Sequence, residues 1–447
     1  MPGLIDRLRR SPLVRGIVIV GALTLAARGM AVVRELVVAG TYGVGEDLDA
    51  VFAALVIPIF LIGILTSTVQ SLLIPELVAA RSQGGDQMFG ALIASATSWV
   101  TLLGAALAGV LLLLSAPIMA AMTTGLGQEA RVLAVDAFRL AIPILLVGGV
   151  LAVWTSALQA IEVLGVTSFA LVLIPATPAA VVAALGAETG PIALVWGVML
   201  GHFLALAPAG WGLASRGISP RLSRPVIEGR LGSALRQSSP VASGYLMHSS
   251  APVVDVGMAG FLGGGSVAAL QFGVRVVDGT VSVLASAIGV TIFPRLARVE
   301  EGGDRAGMIR MARRWLVVAL VIGIPVAATI ALLSEDIVRL LFLRGEFSPA
   351  DVSLVSSVQA MYALQIPFYL AGFVLVRVVH VVRRNSLLLV AATISLALNI
   401  SLNYLLMRLI GLPGIALSTS IVYLVFVIVL VMGVSRFRED AAAPDTS

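Results

Sequence analysis

Twelve apolar runs, each long enough to cross a bilayer as a helix of about twenty residues, occupy most of this 447-residue chain. They fall at 13–39, 49–75, 88–115, 132–158, 165–187, 190–213, 233–261, 266–293, 312–333, 352–379, 386–408 and 412–435. Hydrocarbon offers no water to an open backbone, so a run of this length has to satisfy its own N–H and C=O groups as a helix. The expected fold class is therefore an all-α integral membrane protein with twelve transmembrane helices. Composition agrees: 59% of residues are apolar and 12% charged, with a mean hydropathy of +1.05, where a soluble domain has about 25% charged residues. A soluble enzyme, a disordered chain and a nucleic-acid-binding module are excluded. With no cysteine, disulfides, Cys-ligated metals and thiol chemistry are excluded too. The basic leader of the first run (Arg7, Arg9, Arg10, Arg15) resembles that of a signal peptide. The run is too long for a signal-peptide core and lacks a cleavage site, so it is expected to stay as a helix.

All 29 basic residues are Arg, and their distribution sets the expected orientation. If the N-terminus is cytoplasmic, twenty lie in inside segments. Four, Arg131, Arg339, Arg344 and Arg408, lie outside, and Arg28, Arg34, Arg139, Arg275 and Arg377 lie within spans. Both termini are thus expected in the cytoplasm, and the net charge of +5 needs no nucleic acid to explain it. The longest polar connection, Arg-rich, follows span six. It divides the chain into an N-lobe (1–213, spans one to six), a linker (214–232), a C-lobe (233–436, spans seven to twelve) and a polar tail (437–447).

The two halves echo each other. Ala39-Gly40-Thr41-Tyr42-Gly43-Val44-Gly45 matches Ala259-Gly260-Phe261-Leu262-Gly263-Gly264-Gly265. Each is followed about 30 residues on by a Pro-led segment, Pro75–Arg81 or Pro294–Arg298, and then by Gly-Gly-Asp, at Gly84 to Asp86 and Gly302 to Asp304. Six spans per half is an even number, so the halves are expected to be parallel repeats about an axis along the membrane normal, a transporter architecture with a site near the midplane.

Ionisable residues inside spans are costly and mark pathways. Span one carries Arg28, Arg34 and Glu35, Asp49 opens span two, span seven carries Asp255, and span eight carries Arg275 and Asp278. Arg28, Arg34 and Arg275 are expected to line a common cavity suited to an anionic substrate, because guanidinium matches phosphate oxygens bidentately. Glu35, Asp49 and Asp278 are the expected gate and ion-pair partners. The bland alternative is helix–helix ion pairing, Arg34 with Glu35 or Asp49 and Arg275 with Asp278. Asn399 and Asn403, four apart, share a helix face. With Thr419 and Asp255 they offer oxygens to a hard monovalent cation or act as polar glue between helices. His202, His248 and His380 are scattered over different spans and make no metal site. The short outside loops hold no clustered acid/base pair, which argues against a membrane enzyme.

These features resemble the MviN/MurJ family of lipid flippases, within the multidrug/oligosaccharidyl-lipid/polysaccharide exporter superfamily, over essentially the whole chain. The resemblance rests on Arg34-Glu35, Gly43-x-Gly45, Asp49-Ala50-x-Phe52, Pro58 and Ile74-Pro75. It recurs in Phe261-Leu262-x-x-Gly265-Ser266-Val267, in Arg275, and in Leu332–Glu335 through Leu340-Leu341-Phe342-x-Arg344-Gly345-x-Phe347. It implies a flippase of the bacterial inner membrane, not an enzyme. Its substrate would be a polyprenyl-pyrophosphate-linked saccharide, lipid II or an exopolysaccharide repeat unit, moved outward by alternating access. It implies that Arg34, Asp49 and Arg275 are needed for transport. It also implies a sodium site at Asp255, Asn399, Asn403, Ile415 (through its carbonyl) and Thr419, with no other cofactor. The expected partners are the lipid-linked oligosaccharide and membrane lipids, with no nucleic acid, and the expected state is a monomer. The family's paired Arg in span two is absent, Leu61–Thr68 standing there, and Val56 replaces a basic residue. The alternative readings are a cation or multidrug antiporter of the superfamily and a non-transporting scaffold.

Overall fold

The computed structural model describes residues 12–219, 250–301, 305–381 and 385–440. Most of the linker, the first part of span seven with His248, the second Gly-Gly-Asp and the end of the tail lie outside the described residues. Among those described, all regular structure is helical. The chain forms two compact units, Met1–Ser239 and Pro240–Ser447.

The first unit holds α1 (Pro12–Tyr42), α2 (Glu46–Leu113), α3 (Ser115–Met122), α4 (Gln128–Ala141), α5 (Ile144–Ala160), α6 (Leu164–Thr189) and α7 (Ile192–Ala214). At 68 residues, α2 would be about 100 Å long as one rod, far beyond a bilayer. It is two spans joined at Gly85, whose φ of 61° and ψ of −158° are not helical. That is the Gly-Gly-Asp of the repeat, where glycine adopts a conformation closed to other L-residues. Span four is broken, α4 ending before Ile142-Pro143 and α5 starting after it. The core lies where α5 and α7 meet both arms of α2, around Leu73, Leu77, Phe89, Ile93, Leu158 and Leu213.

The second unit holds α8 (Ala251–Ala259), α9 (Ser266–Glu301), α10 (Arg305–Leu332), α11 (Ser334–Phe342), α12 (Pro349–Ala363), α13 (Ile366–Val381), α14 (Asn385–Ile410) and α15 (Leu412–Asp440). Its element order repeats that of the first unit: a short helix (α3 or α11), a span broken at Ile-Pro (α4–α5 or α12–α13), and two unbroken spans. α8 is the described remainder of span seven. The break before Ile366-Pro367 closes with a tight turn, Gln365 N–H donating to the Tyr362 carbonyl at 3.1 Å, and α12 starts on a capping box between Ser348 and Asp351.

The segment that carries the resemblance most specifically, Leu332 to Phe347, is a packing device. Phe342 and Phe347, with rings 5.7 Å apart, clasp Phe272 of α9 at 5.4 and 5.9 Å. Gly345, with φ of 57°, makes the turn that returns Phe347 to this cluster.

Candidate functional site: charged and polar residues inside the spans

In the first unit α1 presents Arg28, which is exposed, and one and a half turns later the ion pair of Arg34 Nη2 with Glu35 Oε1. Glu35 is buried. A buried carboxylate needs a partner, and the adjacent guanidinium supplies it, so of the two pairings open to Arg34 the structure adopts the one with Glu35. Asp49 is completely buried in the first turn of α2, where the positive end of the helix dipole favours an acid. In the second unit Arg275 of α9 is half-buried and donates from Nη2 to Gln271 Oε1 at 3.1 Å, one turn earlier, while Asp278 is exposed one turn later. The three arginines thus fall in different units: Arg28 and Arg34 in the first, Arg275 in the second.

The second unit also builds a compact polar site. Asp255 of α8 is 5% exposed. Its Oδ1 accepts from Asn399 Nδ2 at 3.1 Å and from Asn403 Nδ2 at 2.7 Å. Its Oδ2 accepts from the Thr419 hydroxyl at 2.9 Å, and Thr419 Oγ1 lies 3.4 Å from the Ile415 carbonyl. The sequence-derived set is therefore assembled by α8, α14 and α15. Sequence reasoning missed Tyr362 of α12, buried, whose hydroxyl also bonds Asp255. Gln359, completely buried one turn before it, has no hydrogen-bond partner at either polar end among the described residues. The available signal was a Gln and a Tyr three apart on one face of α12.

The donor set fits a monovalent cation. The amide oxygens of Asn399 and Asn403 are buried and make no hydrogen bond among the described residues. Rotating either amide would turn an oxygen toward Asp255. Carboxylate, amide, hydroxyl and carbonyl oxygens suit a hard cation, and a single carboxylate balances one positive charge. No cluster of three or more acid, His or Cys side chains exists among the described residues, so a multivalent ion lacks the charge it needs. The Nδ1 of His202 lies 2.8 Å from the Val198 carbonyl of its own helix.

Fold and site together define a multi-pass helical membrane protein with arginines inside its spans and a buried oxygen site around one carboxyl group in its second unit. The sequence profile described as lipid II flippase MurJ matches residues 38–439, and the chain belongs to that family. A probable lipid II flippase MurJ of Thermotoga maritima is 26% identical over 409 residues, 90% of this chain and 81% of that one. The corresponding Bdellovibrio bacteriovorus protein is 27% identical over 54% of this chain and 46% of its own length, so the chain spans about half the length of several curated relatives it matches. The fold is that of a solved lipid II flippase MurJ in an inward closed conformation, with a TM-score of 0.81 and 21% identity, covering 94% of this chain and 87% of that one.

Proposed function

We propose that this protein is a bacterial inner-membrane flippase. It carries a polyprenyl-pyrophosphate-linked saccharide from the cytoplasmic to the outer leaflet by alternating access, with both termini in the cytoplasm. The observation that carries the reading is the placement of guanidinium groups inside apolar helices of both units, Arg28 and Arg34 on α1 and Arg275 on α9, in a chain of the lipid II flippase family. Charges in such positions serve a pathway, and guanidinium forks suit the oxygens of a pyrophosphate. Glu35 already occupies Arg34, so binding an anion means exchanging a carboxylate for a phosphate. Restoring the Arg34–Glu35 pair would expel the substrate. That competition supplies the difference in affinity between two states that directional transport requires.

The Asp255 site would hold sodium through Asp255, Asn399, Asn403, Thr419 and the Ile415 carbonyl, adding an ion whose binding the transport cycle exploits. The family's substrate, lipid II, is the first candidate. The apolar stretch Leu61–Thr68, standing where family members carry paired arginines, favours a second reading in which the head group is another lipid-linked repeat unit.

The test is complementation of a bacterium depleted of its own lipid II flippase. The chain should restore growth, and Arg275→Ala should abolish rescue while the protein remains inserted at wild-type levels. Full activity of that variant would remove Arg275 from the substrate path. Failure of the well-inserted unmutated chain would reject lipid II and leave the repeat-unit substrate.

A further inference from the structure

The hydroxyl of Ser395 on α14 is buried and has no hydrogen-bond partner among the described residues. A hydroxyl inside a helix can satisfy itself on the carbonyl one turn back. Thr393 and Ser401 of the same helix do so, at 2.8 and 2.9 Å, and Ser395 forgoes that bond. It lines a cavity of about 20 Å³, room for one water molecule or one small ion. Three helices of the second unit wall the cavity, through Ala251 of α8, Ser395 and Asn399 of α14, and Thr419, Tyr423 and Phe426 of α15. Two of these, Asn399 and Thr419, already belong to the Asp255 site, and the Asn399 amide oxygen has no partner among the described residues. The cavity adjoins that site from one side. Ala251 is one turn before Asp255, Ser395 one turn before Asn399, and Tyr423 one turn after Thr419 on the helix that returns from the end of α14. All three place it toward the end where α8 and α14 begin. Toward the other end Ala259, Asn403 and Ile415 are completely buried.

We propose that this cavity is a second cation subsite through which sodium enters and leaves the Asp255 site, with the Ser395 hydroxyl as its own ligand and the Asn399 amide shared between the two positions. It rests on the sodium reading of the Asp255 site. Ser395, Asn399 and Asn403, at steps of four, set three polar side chains about 6 Å apart along one face of α14. An ion can pass down that ladder from hydroxyl and amide to carboxylate. The hydroxyl and amide oxygens are neutral acceptors, so the subsite holds the ion weakly and the carboxylate holds it firmly. Passage needs binding that is favourable enough to enter and divided enough to leave. A water molecule confined in the cavity would use the same two oxygens but would leave the rate of sodium exchange indifferent to Ser395. With both termini in the cytoplasm, the subsite lies on the cytoplasmic side of Asp255, and in this conformation the ion exchanges with the cytoplasm.

The experiment measures equilibrium binding and exchange of radioactive sodium by the full chain in detergent. The unmutated chain should bind sodium and Asp255→Asn should not. Ser395→Ala should slow association and dissociation alike, by about tenfold for the loss of one oxygen to a charged ligand, and leave the affinity nearly unchanged. Ser395→Thr, which keeps the hydroxyl, should exchange at close to the unmutated rate. Unslowed exchange in Ser395→Ala overturns the proposal and leaves the Asp255 site standing, with water as the occupant of the cavity. A lower affinity at an unchanged association rate also overturns it, because Ser395 would then belong to the Asp255 site itself. Sodium binding that is absent from the unmutated chain, or undiminished in Asp255→Asn, removes the sodium reading and this one with it. A second measurement exploits a chain without cysteine. Silver(I), added as nitrate, is a thiol-seeking cation close to sodium in size. It should stop sodium exchange in Ser395→Cys, reversibly with dithiothreitol, and leave the unmutated chain unaffected. Exchange in Ser395→Cys that is indifferent to silver places the route elsewhere and overturns the proposal.

Discussion

Two acids at corresponding places in the repeat meet different fates. Aligning Ala39-Gly40 with Ala259-Gly260 brings Glu35 and Asp255 to one position, and both side chains are buried. Beside Glu35 stands Arg34, which neutralises it. Beside Asp255 stands Val254, and its hydrogen-bond partners are neutral amides and hydroxyls. Donors can solvate a buried carboxylate without cancelling its charge, so an ionised Asp255 would favour a cation beside it. If sodium takes that place, it stabilises the folded state by mass action. Sodium at a hundred times its dissociation constant is worth about 2.7 kcal/mol. Thermal unfolding in sodium chloride should therefore lie above that in choline chloride. Asp255→Asn should abolish the difference, and Asn403→Asp, which adds a second carboxylate, should enlarge it. An Asp255→Asn protein with an undiminished sodium shift would dismiss the site. Part of this site was legible in advance: the four-residue spacing of Asn399 and Asn403 put their amides on one face. Tyr362 was not, because nothing local to α12 says that its neighbour in space lies more than a hundred residues earlier.

At the scale of elements, glycine decides how closely helices approach. A Cβ at Gly197 of α7 would stand 2.4 Å from the Pro178 Cα of α6, and one at Gly323 of α10 would stand 2.6 Å from the Pro367 Cα of α13. In each unit one helix leans on the backbone of another, as small residues permit inside membranes. The obstacle is backbone, so Gly197→Ala forces α6 and α7 apart at about 1–3 kcal/mol, the usual range for overpacking. It should lower the unfolding temperature in detergent. Gly109→Ala, with no atom within 4 Å of the added Cβ, should not. Equal stability of the two variants would mean that the α6–α7 contact is looser than described. The apolar runs and the Gly-Gly-Asp break were readable because length and φ requirements are local. The broken spans were not, because proline alone does not break a span here: Pro58, Pro75, Pro175, Pro178, Pro208 and Pro325 all sit within continuous helices. At Pro143 and Pro367 the helix yields where tight turns close the gap, Leu145 N–H to the Ile142 carbonyl and Gln365 N–H to the Tyr362 carbonyl, both at 3.1 Å.

For the whole molecule, the ends of the spans differ in character. Five of the six connections expected outside hold a glycine with positive φ, Gly43, Gly190, Gly263, Gly345 and Gly411. In the first unit they are also tied together: the Tyr42 hydroxyl donates to the Gly190 carbonyl at 2.9 Å, and Gly127 N–H to Glu46 Oε2 at 3.1 Å. The connections expected inside carry most of the arginines, which the cytoplasmic face retains. A chain without cysteine lets this asymmetry be tested one thiol at a time. Ser82 and Glu346 are both exposed, the first beside the Gly85 break and the second in the turn after α11. Between them the twelve-span reading places seven crossings, an odd number, one of which is span seven, whose first part lies outside the described residues. A membrane-impermeant maleimide should therefore label Glu346→Cys in intact cells and label Ser82→Cys only after permeabilisation. Labelling of both from the same side would mean an even number of crossings. Span seven would then be the one to give up, and with it the even count that makes the two halves parallel.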